Sequence, residues 1–423
     1  MAYRHRTIDD ELDVLLPGAA AIAIRGPRAV GKTETATQRA RTIVRLDDGL
    51  AREFVRADPR RLTEGSPPIL IDEWQRLPES WDLVRRAVDR DRSPGRFLLT
   101  GSASPANPPT HTGAGRIVSL HMRSMTLAER GVDRPSVSLS ELLTGARPAV
   151  GGSTTVGLER YANEIVGSGL PGLRGLADRT VRAHLDGYIE QVIEQDFTDA
   201  GLSVRSPAAL RRWMTAYASA VAGTASLERI RDAATAGYHD KPTKVTVLRW
   251  LDVLERLWLA EPIPGWMPSR SALSRLALAP KHQMVDPAIA ARLVGATADT
   301  LLAATPAGAL GPRDSSLLGA LFESMVAQDV RVQAQAAEAR VSHFRTRDGD
   351  HEVDLIVERA DHRIVAIEVK LTRAPDDRDV RHLTWLRDRL GDDLLDAVVV
   401  NAGPEAYRRL DGIAVVPAAL LGP

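Results

Sequence analysis

One segment limits the possible folds more than any other. Gly26-Pro27-Arg28-Ala29-Val30-Gly31-Lys32-Thr33 follows the apolar run Ala19–Arg25 and opens a helical stretch. This is G-x-x-x-x-G-K-T in the strand-to-helix setting that makes the motif specific. Gly26 and Gly31 let the backbone curl so that successive N–H groups face one point. The following helix aims its N-terminal dipole at the same point. Lys32 adds a compact ammonium for the β- and γ-phosphates, and Thr33 adds a hydroxyl for Mg²⁺. The pattern predicts a pocket for ATP and Mg²⁺ built by Gly26, Pro27, Arg28, Ala29, Val30, Gly31, Lys32, Thr33 and Glu34.

Such a loop works at the C-terminal edge of a parallel sheet. Thr42–Leu46, Pro68–Ile71, Arg96–Thr100 and Arg116–Leu120 read as short strands, with a helical stretch at Glu79–Arg90. Strands alternating with helices predict a doubly wound α/β domain. Ile69-Leu70-Ile71-Asp72-Glu73 ends a buried strand in two carboxylates. Asp72 would hold Mg²⁺ through water, and Glu73 would polarise the attacking water. Phe97–Ser102 is a second buried strand with hydroxyls at its tip. A strand inserted between it and the phosphate-loop strand would set Thr100 or Ser102 beside the γ-phosphate. Arg116 and Arg123 flank the last strand, where either is a candidate finger for a neighbour's nucleotide in a homo-oligomer.

The 423 residues contain no cysteine, so a disulfide framework and thiolate metal sites are excluded. No apolar run is long enough to cross a bilayer, and the first residues lack a signal-peptide core. A cytoplasmic protein with no membrane partner is expected. The 55 basic residues balance 55 acidic ones. Lysine is rare among them: only Lys32, Lys241, Lys244, Lys281 and Lys370 occur. In an arginine-rich chain, the lysines that remain are places to look for a required ammonium.

A second group of carboxylates lies near the C-terminus. Glu352–Val357 and Ile364–Lys370 read as strands, and Asp354 and Glu368 lie on them. Residues i and i+2 of a strand share a face, so Glu368 and Lys370 point the same way. A hairpin partner can bring Asp354 beside them. This is the D…E-x-K arrangement of PD-(D/E)xK nucleases. Asp354 and Glu368 would bind Mg²⁺, Lys370 would orient the attacking water, and Glu323 on the preceding helix would be an extra metal ligand. Residues 323–423 hold 14 Arg and Lys against 19 Asp and Glu, net −5, which does not attract nucleic acid.

The middle of the chain is the better nucleic-acid candidate. Ala225–Ala234 and Pro242–Leu254 read as two helices joined by a turn at Gly237, with Trp258–Ile263 as a wing. Residues 205–256 carry nine Arg and Lys against five Asp and Glu, net +4. Lys241 and Lys244 head the second helix, where a recognition helix meets DNA. Such a module can equally pack against the ATPase without touching DNA. Trp250, Leu251, Leu254 and Leu257 read as core.

GPRAVGKT, LIDEWQRLPESWDLVRRAV, LLTGSA and GRIVSLHMRSMTLAERG resemble the prokaryotic AAA-type ATPases of the "AAA fourteen" kind. GSGLPGL (167–173) and YIEQVIEQDF (188–197) extend the resemblance. It implies a P-loop AAA-type domain (1–130), a connector and helical segment (131–204) and a winged-helix-like domain (205–266). A connector (267–315) and a restriction-endonuclease-like α/β domain (316–423) would follow. Thr100 would occupy the family's sensor position. Two functions stay open: an ATPase acting on nucleic acid, DNA before RNA, or a nucleotide-switched scaffold whose C-terminal fold is a non-catalytic module.

Overall fold

The computed structural model describes residues 3–102, 113–238, 240–267, 278–303, 317–346 and 348–423. In the N-terminal unit, strands β1 (Ala21–Arg25), β2 (Thr42–Arg45), β3 (Ile69–Asp72), β4 (Phe97–Gly101) and β5 (Ile117–His121) form a parallel sheet. Its order is β2-β3-β4-β1-β5. Phe97–Gly101 is therefore itself the inserted strand. The expected extra strand between it and β1 is absent, because β4 pairs directly with β1, Ile24 against Thr100. All of β4 is buried, as a central strand covered on both faces must be. One face of the sheet (Ala21, Ala23, Ile69, Ile71, Phe97, Leu99) packs on Trp81, Val84, Ala87 and Val88 of helix Glu79–Arg90. The other (Ile22, Ile24, Leu70, Leu98) packs on Ile8 and Leu12 of helix Thr7–Leu15 and on Ala36.

Residues 131–157 read as a connector, but two short strands pin them to the far end of the chain. Val137–Ser138 (β6) pairs with the C-terminal Leu421–Gly422, and Gly152–Ser153 (β7) pairs with Glu405–Arg408. Helices Leu158–Val166 and Asp178–Gln191 follow, the second running on through a π-helical turn, Val192–Asp196.

Helices Pro207–Ser219, Leu227–Thr235 and Lys244–Arg256 make up the middle unit. Trp250, Leu254 and Leu257 are buried in its core, and Leu251 packs at its edge. The chain then forms an antiparallel ribbon, with bridges Ala260–Met284 and Ile263–Lys281. Gly265–Trp266 (β8) pairs with the C-terminal sheet, so the ribbon is anchored there. Of the connector read at 267–315, residues 268–277 and 304–315 lie outside the described residues, as does Ser316.

In the C-terminal unit, β9 (Arg340–Arg345), β10 (Glu352–Glu358) and β11 (Ile364–Lys370) form an antiparallel meander. Helix Arg381–Leu390 crosses over to β12 (Leu394–Asn401), which lies parallel to β11. β13 (Glu405–Arg408) and β14 (Ala414–Pro417) extend the sheet to the order β7-β13-β14-β12-β11-β10-β9-β8, and β15 (Leu421–Gly422) pairs with β6. Helix Leu317–Ala336 buries side chains around most of its circumference. Its Asp329 accepts from the Leu127 N–H at 2.9 Å, and its Gln328 donates to the Ser124 carbonyl at 2.8 Å. The C-terminal and N-terminal units are thus in direct contact.

Arg123 does not reach outward as a finger. Its guanidinium lies at the hub of an internal cluster, 3.0 Å from Glu261 on the ribbon and 3.0 Å from Gln335. Arg331 also reaches Glu261 at 3.0 Å. Burial alone would raise the Glu261 carboxyl; Arg123 and Arg331 outweigh it and hold the group well below the usual carboxylate range. Arg116 pairs with Asp89 at 2.8 Å and keeps 40% of its side chain exposed. Removing one partner from a buried pair leaves an uncompensated charge. Arg123→Ala is therefore expected to cost about 3–5 kcal/mol of stability in denaturant unfolding. A near-zero change would show that the cluster does not join the units.

Candidate functional site

The phosphate loop is held by contacts that leave room only for backbone. A Cβ on Gly26 (φ +149°) would lie 2.1 Å from the Met122 carbonyl oxygen just past β5. Gly31 has φ +101°, which L side chains rarely adopt. Arg6, ahead of the first helix, donates to the Val30 carbonyl at 2.9 Å and braces the loop from behind. Sequence reading missed this residue, since an arginine 24 positions before Val30 carries no local signal.

At the sheet edge the predicted side chains converge. Thr33 Oγ1 donates to Asp72 Oδ1 at 2.8 Å, and Thr100 Oγ1 donates to the same oxygen. β1 and β3 flank β4, so hydroxyl and carboxylate meet across the strand tips. Glu73 leaves the strand in a left-handed conformation, φ 55° and ψ 44°. Gln75 donates to its Oε2 and lies 3.4 Å from Ser102 Oγ. Gly101 is needed here, because a Cβ would lie 2.6 Å from Gln75 Oε1 and 2.6 Å from Trp74 Nε1. Burial first, then Asp72, raises the Glu73 carboxyl, while Lys32 opposes the shift. A carboxyl raised in this way suits a group that takes up a proton. Lys32 is folded back on the loop, donating to the Gly26 and Pro27 carbonyls at 3.0 and 2.6 Å.

These residues line a cleft of about 740 Å³ whose far wall is the helical segment after residue 157. Leu170, Pro171 and Leu173 of the GSGLPGL stretch face Gly31 and Lys32, and His184, Leu185 and Tyr188 close the side. Arg28 in the loop pairs at 2.8 Å with Asp196 in the π-helical turn. The donor set fits Mg²⁺ bound to a triphosphate: a hydroxyl and a carboxylate oxygen 2.8 Å apart leave the remaining positions to phosphate and water.

The C-terminal carboxylates also meet in one cavity, of about 580 Å³, with Glu323, Glu352, Asp354, Glu368 and Lys370 in its lining. The meander does bring Asp354 to Glu368, since Asp354 Oδ2 accepts from the Val369 N–H at 2.9 Å. The expected metal position is differently filled. Lys281 Nζ lies 2.8 Å from Asp354 Oδ1, 2.8 Å from Glu323 Oε1 and 3.2 Å from Glu352 Oε1. Lys370 Nζ lies 3.1 Å from Glu368 Oε1. Among the described residues, no three His, Asp or Glu side chains are arranged to hold a metal ion. Asp354 Oδ1 and Oδ2, Glu323 Oε1 and Glu368 Oε1 each face an ammonium or amide donor, and the buried Glu368 Oε2 has no hydrogen-bond partner. Burial, then Asp354, raises both Glu323 and Glu368. Asp354 is held below its ordinary range: burial opposes this, and Lys281 and Lys370 prevail.

In the middle unit, Lys241 and Lys244 are exposed and ion-paired, to Asp232 at 2.8 Å and to Glu228 at 2.7 Å.

Comparison with known proteins agrees with the N-terminal geometry. Residues 19–130 match the sequence model of an AAA domain. Residues 158–300 and 318–421 match two domains of unknown function, DUF8612 and DUF4143. The strand order, the phosphate loop and the AAA match make the N-terminal unit a P-loop ATPase domain of the AAA class. Over nearly its whole length the chain is similar to two uncharacterized proteins, Rv2008c of Mycobacterium tuberculosis and Mb2031c of Mycobacterium bovis. Each is 26% identical over 435 residues, covering 99% of this chain and 84% of the relative. Among solved structures, the Walker-type ATPase PABY2304 of Pyrococcus abyssi is similar at 14% identity and a TM-score of 0.40, over 67% of this chain and 94% of that one.

Burial lowers Lys32 to about 8, although Glu73 and Asp72 pull it up. Phosphate in the loop favours the charged ammonium. Above that pH, ATP binding must take up a proton, so affinity should fall as pH rises, by up to about tenfold per unit. Lys32→Arg stays charged and should flatten the slope. Calorimetric titration across this range checks it; a wild-type affinity independent of pH would contradict it.

Proposed function

We propose that this chain binds ATP with Mg²⁺, hydrolyses it, and passes the state of its phosphate loop to the helical segment walling the cleft. The observation that carries this reading is the 2.8 Å ion pair between Arg28, inside the loop, and Asp196, in the wall. The γ-phosphate competes with Asp196 for that guanidinium, so nucleotide state and wall position are coupled. π-Helical turns are costly insertions that recur at functional sites, and this one sits at the contact. Loop N–H groups and Lys32 hold the phosphates, and Thr33 and Asp72 would hold Mg²⁺, which neutralises phosphate charge. Glu73 accepts the proton of the water that attacks the γ-phosphorus. The bond to the ADP oxygen breaks, and Thr100 keeps Asp72 in place.

A nucleic-acid partner, DNA before RNA, is supported by the helix-turn-helix followed by an antiparallel ribbon, and by the +4 balance of residues 205–256. The pairs made by Lys241 and Lys244 do not oppose it strongly, because exposed ion pairs contribute about 0–1 kcal/mol and yield to phosphate. In a cytoplasmic homo-oligomer, the exposed Arg116 is the remaining finger candidate. The C-terminal fold suits a non-catalytic interaction module better than a Mg²⁺-dependent nuclease, since its carboxylates are already paired with lysines.

Lys32→Ala should lower ATP turnover by about 10²-fold or more. In Asp196→Ala, ATP should still bind but no longer change hydrogen-exchange protection across residues 178–199. Full turnover in the first variant would end the ATPase reading, and unchanged protection in the second would end the coupling. Duplex DNA should raise the wild-type ATPase rate at low salt and lose that effect at high salt. A rate indifferent to DNA would favour the scaffold.

A further inference from the structure

Lys281 is the one lysine to which neither the two sites nor the helix-turn-helix gives a role, and it is 1% exposed. Its backbone is held on both sides: its N–H donates to Ile263 at 3.0 Å and its carbonyl accepts from Ile263 at 2.9 Å. The neighbouring His282 N–H donates to Gly223, and its ring meets the Ala225 carbonyl at 2.7 Å. Gln283 accepts from Ser324 at 2.6 Å. The ammonium therefore stands on a rigid part of the middle unit and projects into a cavity of the C-terminal unit. It faces carboxylates from two C-terminal elements: Glu323 from the long helix, Glu352 and Asp354 from β10. Two of the ammonium's three N–H groups donate to Glu323 Oε1 and Asp354 Oδ1 at 2.8 Å, and Glu352 Oε1 lies 3.2 Å away as a third anion. Arginine's planar fork does not reproduce that convergence, which accounts for a lysine in a chain that otherwise uses arginine.

We propose that Lys281 is a resident cation at the position where a nuclease-like fold would take a divalent metal, and that this carboxylate cluster is a metal-independent socket coupling the middle unit to the C-terminal unit. The ammonium supplies the positive charge that Asp354 and Glu323 need, and it excludes a hydrated ion from the same oxygens. Strand β8 pairs with β9 beside it, so backbone pairing and a buried charge cluster attach the ribbon together. The inference rests on this geometry and does not depend on ATP hydrolysis.

The test is Mn²⁺ binding to the full chain without nucleotide, followed by electron paramagnetic resonance. Wild type and Asp354→Asn should bind Mn²⁺ alike, because neither offers a site in the cluster. Lys281→Met should gain one Mn²⁺ per chain, at least about tenfold tighter than wild type. The gain should vanish in Lys281→Met/Asp354→Asn. Added Mn²⁺ should also raise the melting temperature of Lys281→Met and leave that of wild type unchanged. Wild-type Mn²⁺ binding that Asp354→Asn weakens tenfold would overturn the proposal, whether or not the lysine variant folds. A folded Lys281→Met that gains no Mn²⁺ would overturn it too. Any contribution from Thr33 and Asp72 is common to all four proteins and cancels.

Discussion

The carbonyl of Met122 lies where any side chain at residue 26 would have to go, 2.1 Å from an added Cβ. That close approach binds the phosphate loop to the end of β5, and other contacts follow from it. Arg6 donates both to Val30 within the loop and to the carbonyl of Arg123, so the first helix, the loop and the β5 end form one block. The Arg123 side chain continues from that block into Glu261 on the ribbon. The ribbon carries Lys281 into the carboxylates of the C-terminal unit. A line of short-range contacts thus runs from the phosphate loop to the far cavity.

The line has two kinds of joint. At the nucleotide end, charges face a cleft open to ligand, and the Arg28–Asp196 pair leaves 35% of the arginine side chain exposed. Asp196 is only 3% exposed, so exchange of the guanidinium for phosphate would leave a buried carboxylate that burial already raises towards its neutral form. At the Glu261 and Lys281 joints the charges are buried and multiply paired, and breaking one strands the others. On the proposed reading, nucleotide-driven change is expressed between the loop and the segment at residues 158–199, while the ribbon and the C-terminal sheet keep their multiply paired charges.

The same contrast bears on the C-terminal cluster. Asp354, Glu368 and Lys370 occupy neighbouring strand positions suited to metal-assisted hydrolysis, and Glu323 closes the group from the helix. What changes the chemistry is a lysine from a different unit. Paired with ammonium at 2.8 Å, Asp354 and Glu323 act as a binding surface for the ribbon. The orphaned Glu368 Oε2 marks where the cluster is not fully satisfied.

Residues close in the chain determined what could be read without coordinates. The strand-loop-helix at 19–37, the apolar strand ending in Asp72 and Glu73, the helix at Glu79–Arg90 and the alternation around Asp354 and Glu368 are local patterns of period and punctuation. Backbone geometry translates such patterns directly into structure. Only the tertiary structure decided which strand was inserted beside β1, since pairing order depends on burial of both faces of β4 and not on local period. Only it turned Arg123 inward, set the 167–188 segment over the cleft, and brought Lys281 to Glu323, 42 residues on, and to Asp354, 73 residues on. Each of these is a charge or apolar face satisfied by a partner distant in sequence. The scarcity of lysine marked Lys281 as worth asking about, but its role lies in the fold that surrounds it.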